Sequence, residues 1–183
     1  QSATDCPGQF NTYMNGPSAG IGIHQLMSAM MWEMDTVKGE QFPEVAADMG
    51  TPNEDFTEWT IKIREGIKWS DGEDLNAEDV AFTMNMIKDT DSIGASSYYK
   101  QVFKSIEAVD ATTVKIVTNE PFPRLTQRFG VTIWGNDLHI VPEHIYSQQA
   151  DVYTFKDEQP VVAGPYTVHS YDPNGAWVLY QRR

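Results

Sequence analysis

The chain has 183 residues, of which 40% are hydrophobic and 11% aromatic, and its formal net charge is −13. This composition is too apolar for a disordered chain, and no apolar run approaches the roughly 18 residues that a membrane-spanning helix needs. The negative charge argues against nucleic acid or an anionic membrane surface as a partner, because both would repel the chain. We therefore expect a globular protein with one core, or with one core and part of a second.

The single cysteine, Cys6, leaves three interpretations open. It could be a free thiol, pair with a cysteine outside this chain, or mark a lipid-modified N-terminus. The preceding residues Ala3-Thr4-Asp5 match poorly the small apolar residues that normally precede a lipid-modified cysteine, and no apolar signal segment stands before them. If the chain is secreted, we expect its signal to have been removed.

The first fifty residues predict a loop followed by two helices. Residues 1–17 are rich in Gly, Pro, Asn and Ser and show no sustained period, which is typical of an extended segment. Apolar residues then recur at near-helical spacing from Ile21 to Trp32, with Ser18 as the N-cap. The methionines of this helix could line an adaptable binding surface, although core packing is their commoner use. Residues 43–50 open on proline and close on glycine, which predicts a short helix.

The most distinctive run in the chain covers residues 58–82. Apolar and polar residues alternate along residues 58–64, and this period of two predicts a half-buried strand. Gly66 and the Ser70-Asp71-Gly72 sequence predict turns. Asn76, followed three residues later by Asp79, predicts the N-terminus of a helix with a capping box. Strand, turns and cap account for these residues without a ligand.

The remaining elements are predicted from the spacing of apolar residues and from the positions of turn-forming and helix-breaking residues. The first is a helix with one apolar stripe (Val80, Met84, Ile87) that ends near residues 89–91, followed by a short helix within 92–100. A hairpin with strands around 103–109 and 114–118 comes next, and then a short helix over 122–129. An irregular loop over 132–139 precedes a segment over 141–146 in which apolar residues again recur regularly, and two strands over 161–168 and 176–180 end the chain.

No catalytic residue set is present in the sequence. Only His139 and His144 lie close among the four histidines, and a separation of five is poor helical spacing for a shared metal. The minimal motifs of metal hydrolysis, phosphoryl transfer and serine hydrolysis do not occur. We expect no enzyme, no metal and no cofactor.

Aromatic and amide side chains in irregular segments are better candidates for ligand binding than for catalysis, because stacking and a few oriented hydrogen bonds supply affinity without a chemical reaction. Two segments fit this description. One contributes Tyr13, Asn15 and Gly16, and the other contributes Trp134 and Asn136. Structural alternatives remain open, because Asn15 could be a turn residue beside Gly16, and Trp134 could be a core aromatic.

Three pieces of the chain together carry a family resemblance. They are residues 59–73 with 77–83, residues 140–146 with their proline-led start, and the Gly-Pro-Tyr run of residues 163–166. In this combination and order the chain resembles the solute-binding proteins of bacterial ABC importers, in the family that binds oligopeptides, dipeptides, nickel complexes and some oligosaccharides.

The resemblance implies a mixed α/β fold of the type II periplasmic-binding-protein kind, with helices packed on a mixed sheet. Because the family's proteins are much longer and have two lobes, it also implies a fragment that lacks the second lobe. Residues 1–35 and 160–183 would be parts of lobe I, and residues 36–159 its extra subdomain. The distinctive run would then lie away from the cleft, whereas the Tyr13 segment would lead into it.

The function that the resemblance implies is capture of a peptide or similar small solute outside the cytoplasmic membrane, and its delivery to an ABC permease by lobe closure. The chain would be a periplasmic or extracellular monomer. Two alternatives stay open: an oligosaccharide ligand, since a Trp-bearing loop suits sugar rings, and a protein-interaction or sensor module on the same fold.

Overall fold

The computed structural model describes residues 9–14, 26–35, 37–129, 138–172, 174 and 177–183. These residues form antiparallel sheets with helices, in agreement with the predicted mixed α/β class. The strands are β1 Ala29–Met30, β2 Trp32–Asp35, β3 Glu40–Pro43, β4 Thr51–Pro52, β5 Glu58–Lys62, β6 Phe103–Asp110, β7 Thr113–Thr118, β8 His139–Ile140, β9 Tyr166–Asp172 and β10 Trp177–Arg182. The helices are α1 Ala77–Asp89, α2 Ser96–Val102, α3 Leu125–Phe129 and α4 Glu143–Tyr146.

The largest sheet has four strands in the order β4-β5-β7-β6, all antiparallel. The predicted alternation in β5 is confirmed, because Trp59 and Ile61 are buried whereas Thr60 and Lys62 are exposed. Trp59 lies opposite Ile116 of β7, so that the apolar face of one strand continues into the next. The predicted hairpin is confirmed as β6 and β7. Irregular register beside Val109 leaves that side chain exposed rather than buried.

Helix α1 covers the apolar face of this sheet through contacts with β6 and β7. Its start is as predicted: the Asn76 side chain accepts hydrogen bonds from the Glu78 and Asp79 amides, and Asp79 completes the capping box. The predicted stripe lies entirely in the main core. The helix ends at Asp89, as the period predicts.

The predicted Met-rich helix up to Trp32 is present at Leu26 and Met27, which are helical, and is wrong beyond them. Residues 29–30 and 32–35 are strands, and β1 pairs with β8, a partner more than a hundred residues away. Nearly every residue from Met27 to Trp32 is buried, so the run is apolar on both faces and its spacing cannot distinguish a helix from a strand. Core packing of the methionines is confirmed for Met27, Met30 and Met31.

The predicted short helix over residues 43–50 is also wrong. Pro43 is the last residue of β3, and the chain continues in an extended form in which the amides of Val45 and Ala46 donate to the Met30 and Met31 carbonyl groups. Proline is as acceptable at a strand end as at a helix start, which explains the error. Gly50, with a φ of +76°, closes this segment.

The last two strands, β9 and β10, form a separate hairpin. The first strand begins at Tyr166, later than predicted, and residues 161–165 lie outside it. A small second cluster consists of Phe10, Met27 and Val162. Side chains from both strands of the hairpin pack against it: Val168, Tyr171, Val178 and Tyr180. This cluster joins both ends of the described chain.

Candidate functional site

Two of the three pieces of sequence that carry the family resemblance, residues 59–83 and residues 140–146, meet at one buried carboxylate, Asp79, which is 4% exposed. Its Oδ2 accepts hydrogen bonds from Trp69 Nε1 at 3.2 Å and from the Asn76 amide at 3.0 Å. Its Oδ1 accepts from the Glu143 amide at 2.8 Å, at the start of α4. Asp79 therefore joins the turn, the helix cap and the proline-led segment.

Two further contacts extend this junction. Thr83 Oγ1, one helical turn after Asp79, donates to the Asp79 carbonyl oxygen at 2.7 Å and accepts from the Val141 amide at 3.1 Å. Val162, directly before the Gly-Pro-Tyr segment, is attached to the turn because its amide donates to Ser70 Oγ at 3.1 Å. The polar side-chain atoms of Trp69, Asp79 and Thr83 are thus used within the protein, and this part of the run serves as a structural junction.

The ligand-binding candidate Tyr13 lies in a segment that is firmly held. Its hydroxyl donates to the His139 carbonyl oxygen at 2.7 Å, and its amide donates to Asn11 Oδ1 at 2.9 Å. Asn11 is 1% exposed, and its Nδ2 donates to the carbonyl oxygens of Val152 and Phe155, both at 2.7 Å. Sequence reasoning missed this role of Asn11, because its partners lie more than 140 residues away and leave no local signal.

Replacement of Asn11 by alanine is expected to lower the free energy of unfolding by about 2–3 kcal/mol. The change removes two side-chain donors and leaves two carbonyl oxygens without them. Urea denaturation followed by circular dichroism measures the effect. Gln101→Ala, which removes an exposed amide from α2, is the control and should cost less than about 0.5 kcal/mol. Equal effects of the two changes would show that Asn11 does not anchor its segment.

The other four candidates, Asn15, Gly16, Trp134 and Asn136, lie outside the described residues. The residues that flank the second segment are fixed in the core. Phe129, just before it, packs its ring against Tyr99 and Phe103, with centroids 5.4 and 5.0 Å away. Leu138, just after it, is buried.

Two half-buried or buried carboxyl groups lie near these segments. Burial raises the pKa of Asp157 to about 6, although the Tyr146 hydroxyl donates a 3.0 Å hydrogen bond to its Oδ2. Burial, and then the nearby Glu33 carboxylate, raise the pKa of Glu44 to about 7, against a hydrogen bond from the Met30 amide. Both groups are therefore more easily protonated in the folded chain than in the unfolded one.

We expect the free energy of unfolding to increase as the pH falls from about 8 to about 5. The folded pKa of Asp157 and of Glu44 lies above the unfolded value, so the stabilisation by protonation is present at low pH and is lost as the pH rises through 6 to 7. Over this pH range Asp157 alone should account for about 1–1.5 kcal/mol. Urea denaturation at pH 8 and at pH 5 measures the difference in the free energy of unfolding.

Asp157→Asn should reduce this pH dependence and leave the part due to Glu44, whereas Glu107→Gln, which removes an exposed carboxylate from β6, should keep all of it. A parent protein that is more stable at pH 8 than at pH 5 would contradict the assignment.

The described part of the chain offers no group of three or more His, Cys, Asp or Glu side chains that could hold a metal ion. His144 Nε2 lies 2.7 Å from Asp71 Oδ2, and His169 Nδ1 lies 3.1 Å from Gln181 Oε1, far from His144 in sequence. Among the described helices, none is both long enough and apolar enough to span a bilayer.

Comparison with known proteins relates the chain to one family. Residues 40–183, more than half of the chain, match the family described as bacterial extracellular solute-binding proteins, family 5 Middle. Glutathione-binding protein GsiB of Escherichia coli (strain K12) is 37% identical over 86 residues, which are 46% of this chain and 17% of GsiB.

Three solved structures of similar fold come from chains about three times as long as this one. The periplasmic oligopeptide-binding protein of Thermotoga maritima aligns with a TM-score of 0.77 and 25% identity, over 96% of this chain and 32% of that one. The same protein with bound mannohexaose aligns with a TM-score of 0.73 and 28% identity, over 90% and 29%. NikZ of Campylobacter jejuni, in complex with Ni(L-His), shares the fold with a TM-score of 0.73 at 19% identity, over 90% and 31%.

These matches agree with the resemblance carried by the three motifs and with the type II periplasmic-binding-protein fold that it implies. The chain belongs to the bacterial extracellular solute-binding proteins of family 5.

Proposed function

We propose that the whole protein is the non-catalytic solute-binding component of an ABC importer, which captures a peptide or similar small solute outside the cytoplasmic membrane and delivers it to the permease. The family match supports this role, and so do the names of relatives that bind glutathione and oligopeptides. Residues 1–35 and 160–183 would contribute to lobe I, and residues 36–159 would form its extra subdomain.

The contact between Tyr13 and His139 carries the proposal for the site. Tyr13 lies two residues before Asn15, and His139 lies three residues after Asn136, so the 2.7 Å hydrogen bond joins residues that border the two candidate segments and supports a shared site. We propose that Tyr13, Asn15, Gly16, Trp134 and Asn136 form one wall of the ligand site. Such a wall offers aromatic faces and amide groups, which suit the apolar side chains and the amides of a short peptide.

Ligand capture would proceed by closure of two lobes. A ligand that touches both lobes binds the closed state more tightly than the open one, and this difference in affinity drives closure. One wall alone should therefore bind weakly.

Native mass spectrometry of the whole protein, purified without denaturation, tests the proposal. We expect a co-purified solute in the mass range of a short peptide, released by mild denaturation and bound again on refolding. A whole protein that retains no solute, and that binds none from a peptide panel in calorimetry, would contradict the proposed function.

A second candidate ligand class is an oligosaccharide. The mannohexaose-bound relative from Thermotoga maritima favours it, and a tryptophan in a binding loop stacks on sugar rings as readily as on peptide side chains. The same mass measurement distinguishes the two classes, because hexose oligomers differ in mass by a constant unit and peptides do not.

A further inference from the structure

A small, partly open cavity lies where residues 10–12, β8 and residues 157–162 meet. Its volume is about 40 Å³, and it lies beside the apolar side chains of Phe10, Met27 and Val162. Its lining also includes the polar residues Thr12, Ser28, His139 and Asp157 and the hydroxyl-bearing Tyr146. A water molecule needs roughly 10–15 Å³ by this measure and two to four polar partners. The cavity is therefore large enough and polar enough to hold water.

Thr12 presents an unsatisfied group to this region. Its Oγ1 is buried and has no hydrogen-bond partner within the part of the chain that the structure describes. A buried hydroxyl without a partner is costly, since it has lost its hydrogen bonds to solvent and gained none. Native proteins usually satisfy such groups with ordered water when no protein group is within reach.

Asp157 supplies the complementary group. It is 7% exposed, and its Oδ2 accepts a hydrogen bond from the Tyr146 hydroxyl. A carboxylate can accept several hydrogen bonds through its two oxygens, so this contact leaves capacity for more. The Asp157 carbonyl oxygen also accepts from the Phe10 amide at 3.1 Å, which holds the two segments side by side.

We propose that this cavity is a hydration site, in which one or two water molecules bridge Thr12 Oγ1 and the Asp157 carboxyl group. The bridge adds to the direct contacts of Phe10 and Asn11 in fixing residues 9–14 against residues 152–157. A bridging water is nearly as favourable as a direct hydrogen bond. The inference concerns the support of the Tyr13 segment and does not depend on the ligand that the protein binds.

The substitution Thr12→Val tests the bridge by the sign of its effect. Valine has nearly the same shape but lacks the hydroxyl. If water bridges Thr12 and Asp157, the substitution removes a hydrogen bond and should raise the unfolding equilibrium constant roughly fivefold. If the hydroxyl has no partner, the substitution removes a buried unsatisfied group and should stabilise the protein. Thr12→Ser, which keeps the hydroxyl, is the matched control for the bridge.

A crystal structure of the protein at high resolution completes the test. We expect density for ordered water within hydrogen-bond distance of Thr12 Oγ1 and of an Asp157 oxygen, and we expect Thr12→Val to displace or shift it. Three results would overturn the proposal: a cavity without water, a Thr12 hydroxyl bonded directly to a protein group, or a metal cation bound in place of water. Stabilisation by Thr12→Val would overturn it as well.

Discussion

Replacing Asp79 with alanine is expected to lower the free energy of unfolding by about 3–5 kcal/mol. The carboxylate accepts hydrogen bonds from Trp69 Nε1 and from the amides of Asn76 and Glu143, and alanine leaves all three donors without it. The loss of a buried charged acceptor typically costs this much, because the donors that remain have no access to water. A domain with a total stability of about 5–15 kcal/mol would lose a large part of it.

The controls separate this effect from the loss of charge at the helix start. Glu78→Ala removes an exposed carboxylate from the same turn and should cost only about 0.3–1 kcal/mol through the helix dipole. Asp79→Asn should fall between the two, since it keeps one acceptor oxygen but turns an NH₂ group towards an N–H donor. If chemical denaturation shows that Asp79→Ala and Glu78→Ala are equivalent, Asp79 does not hold the junction together.

Replacing Gly164 with alanine should be nearly as damaging, with an expected cost of about 2–4 kcal/mol. An ideal Cβ at this position would lie 2.5 Å from the carbonyl carbon of Met27, and 2.7 Å from the carbonyl oxygens of Leu26 and Met27. These are backbone atoms, which cannot rotate away as a side chain can. The Gly164 amide also donates to the Met27 carbonyl oxygen at 2.9 Å, so any displacement weakens that bond as well.

Gly94 provides the matched control for this prediction. A Cβ at Gly94 would meet nothing within 4 Å, so Gly94→Ala should change the free energy of unfolding by less than about 0.5 kcal/mol. Thermal denaturation of both variants measures the difference. Similar midpoints for the two would show that the close approach of residues 26–27 to Gly164 is relieved without cost.

Much of the fold could be predicted from local sequence. The strand over residues 58–62 follows from its alternation, and the start of α1 follows from Asn76 and Asp79, because alternation and capping depend on residues only a few positions apart. The two wrong predictions share a cause. The backbone of Ala29 pairs with Ile140 and that of Ala46 pairs with Ile63, and such pairing with residues distant in sequence overrides local preference.

The candidate site was less predictable than the fold. Tyr13 could be selected from its residue type and its irregular surroundings, but its contact with His139 spans 126 positions and leaves no trace in either segment. The role of Asn11 is hidden for the same reason. The family resemblance marked Gly164 and the run over residues 59–83, and the structure shows a physical reason for both: close backbone approach at one, and a buried hydrogen-bonded junction at the other.

The central claim is that residues 58–82 support the structure whereas the segments around Tyr13 and Trp134 bind the ligand. Calorimetric titration of the whole protein with its co-purified solute tests this most directly. Trp134→Ala should weaken binding at least about tenfold, or about 1.4 kcal/mol, without a matching loss of thermal stability. Glu73→Ala, on the exposed turn of the distinctive run, should leave the affinity unchanged. Unchanged affinity in Trp134→Ala together with a loss in Glu73→Ala would contradict the account.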